Sequence, residues 1–158
     1  MKNRKLLKRA LFIILGGVVV GGSIAAYMFF KPHRDVQSSS TDFSMNASDL
    51  VSEYMKNPES ANDKYLDDAG LSKILEVTGT IASITEDFNN QKVVLIKEKD
   101  DKAGVSATFT AETNQSASQL KIGQKVTIKG VIRSGASYDE DLELYENVIL
   151  EKSDVVQQ

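Results

Sequence analysis

The chain has 158 residues, no Cys, no Trp, one His and a formal net charge of −3. That length suits one ordinary domain beside a membrane segment, and the absence of Cys excludes disulfides, thiolate chemistry, Cys-ligated zinc and lipid attachment through Cys. The charge is unevenly divided: residues 1–34 carry seven Lys or Arg and no acid, leaving 12 of the 19 basic residues against all 22 acids in residues 35–158, a net of −10 that repels polyanions at long range.

Residues 1–9 form a basic tail containing Lys2, Arg4, Lys5, Lys8 and Arg9. Residues 10–30, ALFIILGGVVVGGSIAAYMFF, hold no charge. As a helix this stretch spans about 31 Å, the thickness of a hydrocarbon core, so it predicts a transmembrane helix that binds the chain to a membrane. The heavier positive flank lies before it, which places the N-terminus in the cytoplasm and the C-terminal domain outside. Tyr27, Phe29 and Phe30 suit the outer interface. A cleaved signal peptide is the rival reading, because Ser23-Ile24-Ala25 is a small-residue site of the right kind. Against cleavage, the apolar run continues for five residues past Ala25. Gly17 and Gly21 make a G-x-x-x-G pair, the spacing of a homodimer seam; a Gly-rich helix facing lipid is the equal alternative.

Residues 31–42, KPHRDVQSSSTD, read as a short flexible stalk. His33 lies there without a second His or any Cys, so it builds no zinc site and no Ser–His pair. Residues 43–72 read as a helical segment packing on the domain that follows. Ser48 is the expected N-cap, Asp49 lies in the first turn, and Leu50, Val51, Tyr54 and Met55 recur at helical spacing. Pro58 ends that helix or starts the next, over Glu59 to Leu66.

From Lys73 the period changes to two, and residues 73–152 predict five strands. The first covers Ile74 to Ile84, with Leu75, Val77 and Ile81 on one face and Gly79 marking a bulge or bend. Asn89-Asn90 is a turn. Lys92 to Glu98 and Gly104 to Thr110 are the second and third strands, the latter with Val105, Ala107 and Phe109 on one face. A short helix is expected in Ala111 to Gln119. Gln124 to Arg133 is the fourth strand and Asp141 to Lys152 the fifth; residues 153–158 are a tail. Three strands, a helix and two strands make the order of an OB-fold, a five-stranded, partly open Greek-key barrel. The expected fold class is therefore mainly β: an OB-like barrel preceded by a short helical segment and one transmembrane helix.

The phrase Leu120-x-x-Gly123-x-x-Val126-x-Ile128-x-Gly130 resembles the start of strand four in OB domains, and Val77-x-Gly79-x-Ile81 resembles strand one. With Lys31-Pro32-His33 and Asn62-x-Lys64-Tyr65-Leu66, these residues resemble the tRNA-anticodon-domain-like (tRNA_anti-like) family of membrane-anchored bacterial OB-fold proteins. The resemblance implies a fold and no particular activity.

No nucleophile elbow, phosphate loop, metalloprotease motif or dinucleotide fingerprint occurs, so no enzyme and no cofactor are expected. The paired acids Asp67-Asp68, Asp100-Asp101 and Asp139-Glu140-Asp141 are expected to be solvated, and no metal site is expected. OB domains bind through strands two and three and through the loops joining strands one–two and four–five. Those loops carry Glu86 and Asp87, then Tyr138 and the Asp139–Asp141 acids, which disfavours nucleic acid. Lys125, Lys129 and Arg133 recur every four residues on one face of strand four; with Tyr138 they are the candidate ligand contacts. The expected function is a membrane-anchored extracytoplasmic module that docks a protein or small ligand, with single-strand nucleic-acid binding as the alternative.

Overall fold

The computed structural model describes residues 16–24, 26 and 35–156. The chain divides into two units, Met1–Arg34 and Asp35–Gln158. Of the apolar span 10–30, residues 16–24 and 26 are helical, and their side chains are exposed. The rest of that span, the basic tail and residues 31–34 lie outside the described residues. Among the described residues no helix is long and apolar enough to cross a membrane.

The second unit is mainly β. Its elements are β1 (Phe43–Asn46), α1 (Ala47–Lys56), α2 (Pro58–Tyr65), β2 (Ile74–Glu86), β3 (Lys92–Ile96), β4 (Val105–Phe109), α3 (Asn114–Ser118), β5 (Lys125–Ser134), β6 (Ser137–Asp139), β7 (Leu144–Glu146) and β8 (Val148–Val155). Five strands close on themselves in the order β2-β3-β4-β8-β5 and back to β2. All neighbours are antiparallel except β4 and β8, which run parallel from Val105 opposite Val148. This is the closed five-stranded barrel expected from the strand order.

Closure depends on β2 changing partners. Its first half, Ile74 to Thr80, pairs with β5; its second half, from Ile81, pairs with β3. Gly79 sits where the exchange occurs. A Cβ there would lie 2.5 Å from Ile96 Cγ2 and 3.3 Å from Ala47 Cβ, so only a bare backbone lets α1 seat on the barrel at this point. The bulge expected at Gly79 falls slightly later: the register shifts between Ile81 and Ser83, leaving Ala82 as the extra residue.

The core is continuous from barrel to helices. Leu75, Val77, Ile96, Val105, Phe109, Ile128, Ile132 and Leu150 pack with Leu50, Val51, Tyr54 and Tyr65. Leu50, Val51 and Tyr54 recur on one face of α1, and burying each contributes roughly 1.5–3 kcal/mol. Asn57 caps α2 by accepting the Ser60 N–H at 3.1 Å, with Pro58 in the first turn, as its fixed φ favours.

Four expectations are corrected. The 43–72 segment contains a strand: β1 pairs in parallel with β2, Phe43 opposite Leu75, alongside the half of β2 that the short β3 does not reach. Because β1 runs directly into α1, the N-cap is Asn46 rather than Ser48, whose hydroxyl instead reaches Asp101 at 2.6 Å. The stalk is docked from Asp35 onward. Val36 is buried, and Gln37 Nε2 donates to the carbonyls of Lys152 at 2.7 Å and Lys129 at 3.4 Å. Polar residues expected to be solvated find open backbone acceptors here and form a strap over the outside of the barrel. Finally, the last barrel strand begins at Val148 and extends through Ser153 to Val155. Residues 137–146 form a separate hairpin. The break is made by Asn147, whose side-chain oxygen accepts the Gly104 N–H at 2.7 Å.

Candidate ligand-binding face

Alternation along β3 and β4 sends Val94, Ile96, Val105 and Ala107 into the core, leaving Val93, Leu95, Ser106 and Thr108 half-buried on the outer surface. Cross-strand pairing sets Val93 beside Thr108 and Leu95 beside Ser106. Ser83 and Thr85 of β2 and Ile149 of β8 continue the surface on either side. The result is an uncharged patch of aliphatic and hydroxyl side chains, about 17 Å long for five strand residues.

The turn between β2 and β3 bounds one end. Asp87 locks it, accepting the Asn89 N–H at 2.8 Å and the Gln91 N–H at 2.9 Å. Asn90 takes a left-handed φ of 60°, a conformation Asn tolerates. Asn114 of α3 fastens the turn from outside, donating to the Asn90 carbonyl at 2.8 Å and accepting the Lys92 N–H at 2.7 Å. This stiff turn presents Phe88 with its side chain fully exposed. The sequence signal for this residue is an aromatic ring in a turn otherwise built from Asp and Asn.

The other end is built by the loops before β4 and β8, which lie side by side because those strands are parallel. Val148 N–H donates to the Gly104 carbonyl at 3.0 Å. The Tyr138 and Tyr145 rings meet across the β6–β7 hairpin with centroids 4.7 Å apart, and Lys102 Nζ stands 5.2 Å from the Tyr145 centroid. Lys97 Nζ donates to the Lys102 carbonyl at 3.2 Å. The Asp139 carboxylate turns the hairpin by accepting the N–H groups of Asp141 and Leu142, each at 2.9 Å. Among the described residues no three His, Cys, Asp or Glu converge as a metal site.

The four expected contacts have different surroundings. Lys125, Lys129 and Arg133 do share the outward face of β5, but Lys125 and Arg133 are separated by eight residues, about 26 Å of strand. Between them Lys129 Nζ donates to the carbonyls of Ser39 at 2.6 Å and Gln37 at 3.1 Å, so its charge holds the strap. Arg133 Nε lies 3.9 Å from Glu151, and both side chains are exposed. Tyr138 is in the hairpin, paired with Tyr145.

A second polar cluster joins the helices. Glu53 accepts from Lys64 Nζ at 2.7 Å and from the Tyr65 hydroxyl at 2.6 Å, which lowers its pKa. Lys64 Nζ also stands over the rings of Tyr65 and Phe43. Next to it Tyr54 is buried, with its hydroxyl unbonded to any of the described residues, and burial pushes its pKa up to about 12. An open cavity of about 340 Å³ lies against α1 and α2, lined by Asp49, Glu53, Lys56 and Asn57 among others. The cluster fastens α1 to α2 and contains no nucleophile activated by a base.

A family model described as tRNA_anti-like matches residues 1–141. Among solved structures, a Klebsiella pneumoniae lipoprotein to which nucleic-acid binding is ascribed superposes with a TM-score of 0.53 at 18% identity, covering 80% of this chain and 99% of that chain. At that identity the likeness is one of fold. No curated protein matches.

Proposed function

Given that the chain belongs to the tRNA_anti-like family, we propose that it is a membrane-anchored, non-catalytic binding module whose barrel receives a protein or small ligand outside the cytoplasm. The observation that carries the reading is the uncharged outer face of β3 and β4 with Phe88 exposed in the hydrogen-bonded turn at its end. Exposed Phe88 lies beside half-buried Val93 and Leu95, and a contiguous apolar patch rather than a single exposed residue is what marks an interaction site. A pre-formed face also lowers the ordering cost of binding. The anchor rests on the uncharged residues 10–30 and the basic residues before them. The G-x-x-x-G side of that helix is bare at Gly17 and Gly21, which suits a second copy in the bilayer.

Single-strand nucleic-acid binding is the second reading. It is favoured by the Tyr138–Tyr145 pair beside Lys102, and by the fold likeness to a lipoprotein to which nucleic-acid binding is ascribed. Glu86 and Asp87 at one rim and Asp139, Glu140 and Asp141 at the other oppose phosphate, and for that reason it ranks second.

A photo-crosslinker placed at Leu95 in the full-length chain, in intact cells, tests the first reading. A discrete adduct that disappears with Phe88→Ser is expected; no adduct from Leu95, with protease unable to reach the barrel from outside, would overturn it. Steeply salt-dependent binding of oligothymidine would promote the second reading.

A further inference from the structure

The β6–β7 hairpin forms a two-stranded sheet of its own, and its outer edges make no backbone hydrogen bond to the other described residues. Its two faces differ. Tyr138 and Tyr145 are cross-strand neighbours on the face that meets Lys102. By alternation Asp139, Leu144 and Glu146 occupy the opposite face. Leu144 is 44% exposed, and Leu142 in the turn is 67% exposed. Five of the ten residues from Ser137 to Glu146 are acidic and none is basic.

An open strand edge carrying exposed leucines is a template for pairing with another chain. Here the acids decide which chain. Two copies of the hairpin would set acid against acid, so self-pairing is disfavoured, whereas a strand bearing Lys or Arg meets opposite charge at Asp139 and Glu146. We infer that the hairpin is a docking edge for an extended peptide segment that alternates basic and apolar side chains. The peptide adds a strand: its backbone pairs with the open edge, its cations lie on the face of Asp139 and Glu146, and its apolar groups lie on the opposite face beside Tyr138 and Tyr145. The inference rests on the binding-module reading and names the partner class for one rim.

The test uses the full-length chain in neutral detergent micelles and a fluorescently labelled, alternating Lys-Val peptide, with empty micelles as background. Binding is expected to weaken at least about tenfold in Tyr145→Ser, in Glu146→Lys, and when alternate peptide amides are N-methylated. A Glu-Val peptide of the same length should not bind. Lys125→Met, exposed at the far end of β5 from the hairpin, should leave the affinity unchanged. Equal binding of the Glu-Val peptide, or retention of affinity in both hairpin variants, overturns the inference. If affinity instead falls with Leu95→Asp or Phe88→Ser and not in the hairpin variants, the hairpin assignment fails while the binding-module reading stands.

Discussion

Replacing Lys129 by Met keeps the aliphatic stem and removes only the ammonium. In the folded chain that ammonium donates to Ser39 O at 2.6 Å and Gln37 O at 3.1 Å, in a half-buried setting. A charged donor to a carbonyl contributes about 1.5–3 kcal/mol when well sheltered. Partial exposure lets water replace part of that, so we expect a total loss of about 2 kcal/mol for the pair. For a domain of this size that corresponds to a fall in Tm of roughly 6–10 °C. Urea denaturation of the full-length chain in micelles, followed by circular dichroism, gives the magnitude. Amide exchange at residues 36–39 gives the location, since the strap should open before the barrel does. Lys125→Met is the control: Lys125 is exposed on the same strand and should change stability by less than about 0.5 kcal/mol. If the two variants are equally stable and exchange at 36–39 does not quicken, Lys129 is not a latch.

Gly135→Ala should be among the most damaging single-methyl changes, at about 1–3 kcal/mol by thermal melting, because the added Cβ would fall within the buried Tyr54 ring. Glu53, lowered by its hydrogen bonds from Lys64 and Tyr65, supports the fold at neutral pH and stops doing so as pH drops below the ordinary 4.5 toward its folded value. Glu53→Gln should therefore flatten the acid limb of a stability–pH curve. Tyr54 shifts the other way. Its contribution is complete below pH 10 and is lost as pH rises through about 12, so tyrosinate absorbance should show a late phase that Tyr54→Phe removes. Phe88→Ser should leave the melting temperature within about a degree or two while abolishing crosslinking from Leu95, since the ring touches water rather than core.

The barrel strands were legible because each carries period-two alternation and ends at a turn residue; Ile74, Lys92, Val105 and Lys125 all begin within a residue of where the pattern places them. Phe43-Ser44-Met45-Asn46 also alternates, yet four residues running straight into a helix give too weak a signal to stand alone. The start of β8 was misplaced because Leu142, Leu144 and Tyr145 have strand character; the hairpin uses them, and only the distant Gly104 N–H reveals that Asn147 ends it. Lys129 shows the general limit. On an outward strand face it reads the same as Lys125, and what separates them is a strap about 90 residues earlier in the chain that no local pattern announces.

The exchange of partners along β2 has a consequence for biogenesis. β2 emerges first among the barrel strands, but half of its edge waits for β5, and β8 must then fit between β4 and β5 before the barrel closes. Local pairing of β2, β3 and β4 is quick, whereas sealing the cylinder needs segments separated by dozens of residues. A nascent chain would thus hold a curled, unsealed sheet until β8 arrives. A stop codon before Val148 would leave both β4 and β5 exposed to neighbouring polypeptides, so such a truncation should aggregate rather than merely melt sooner.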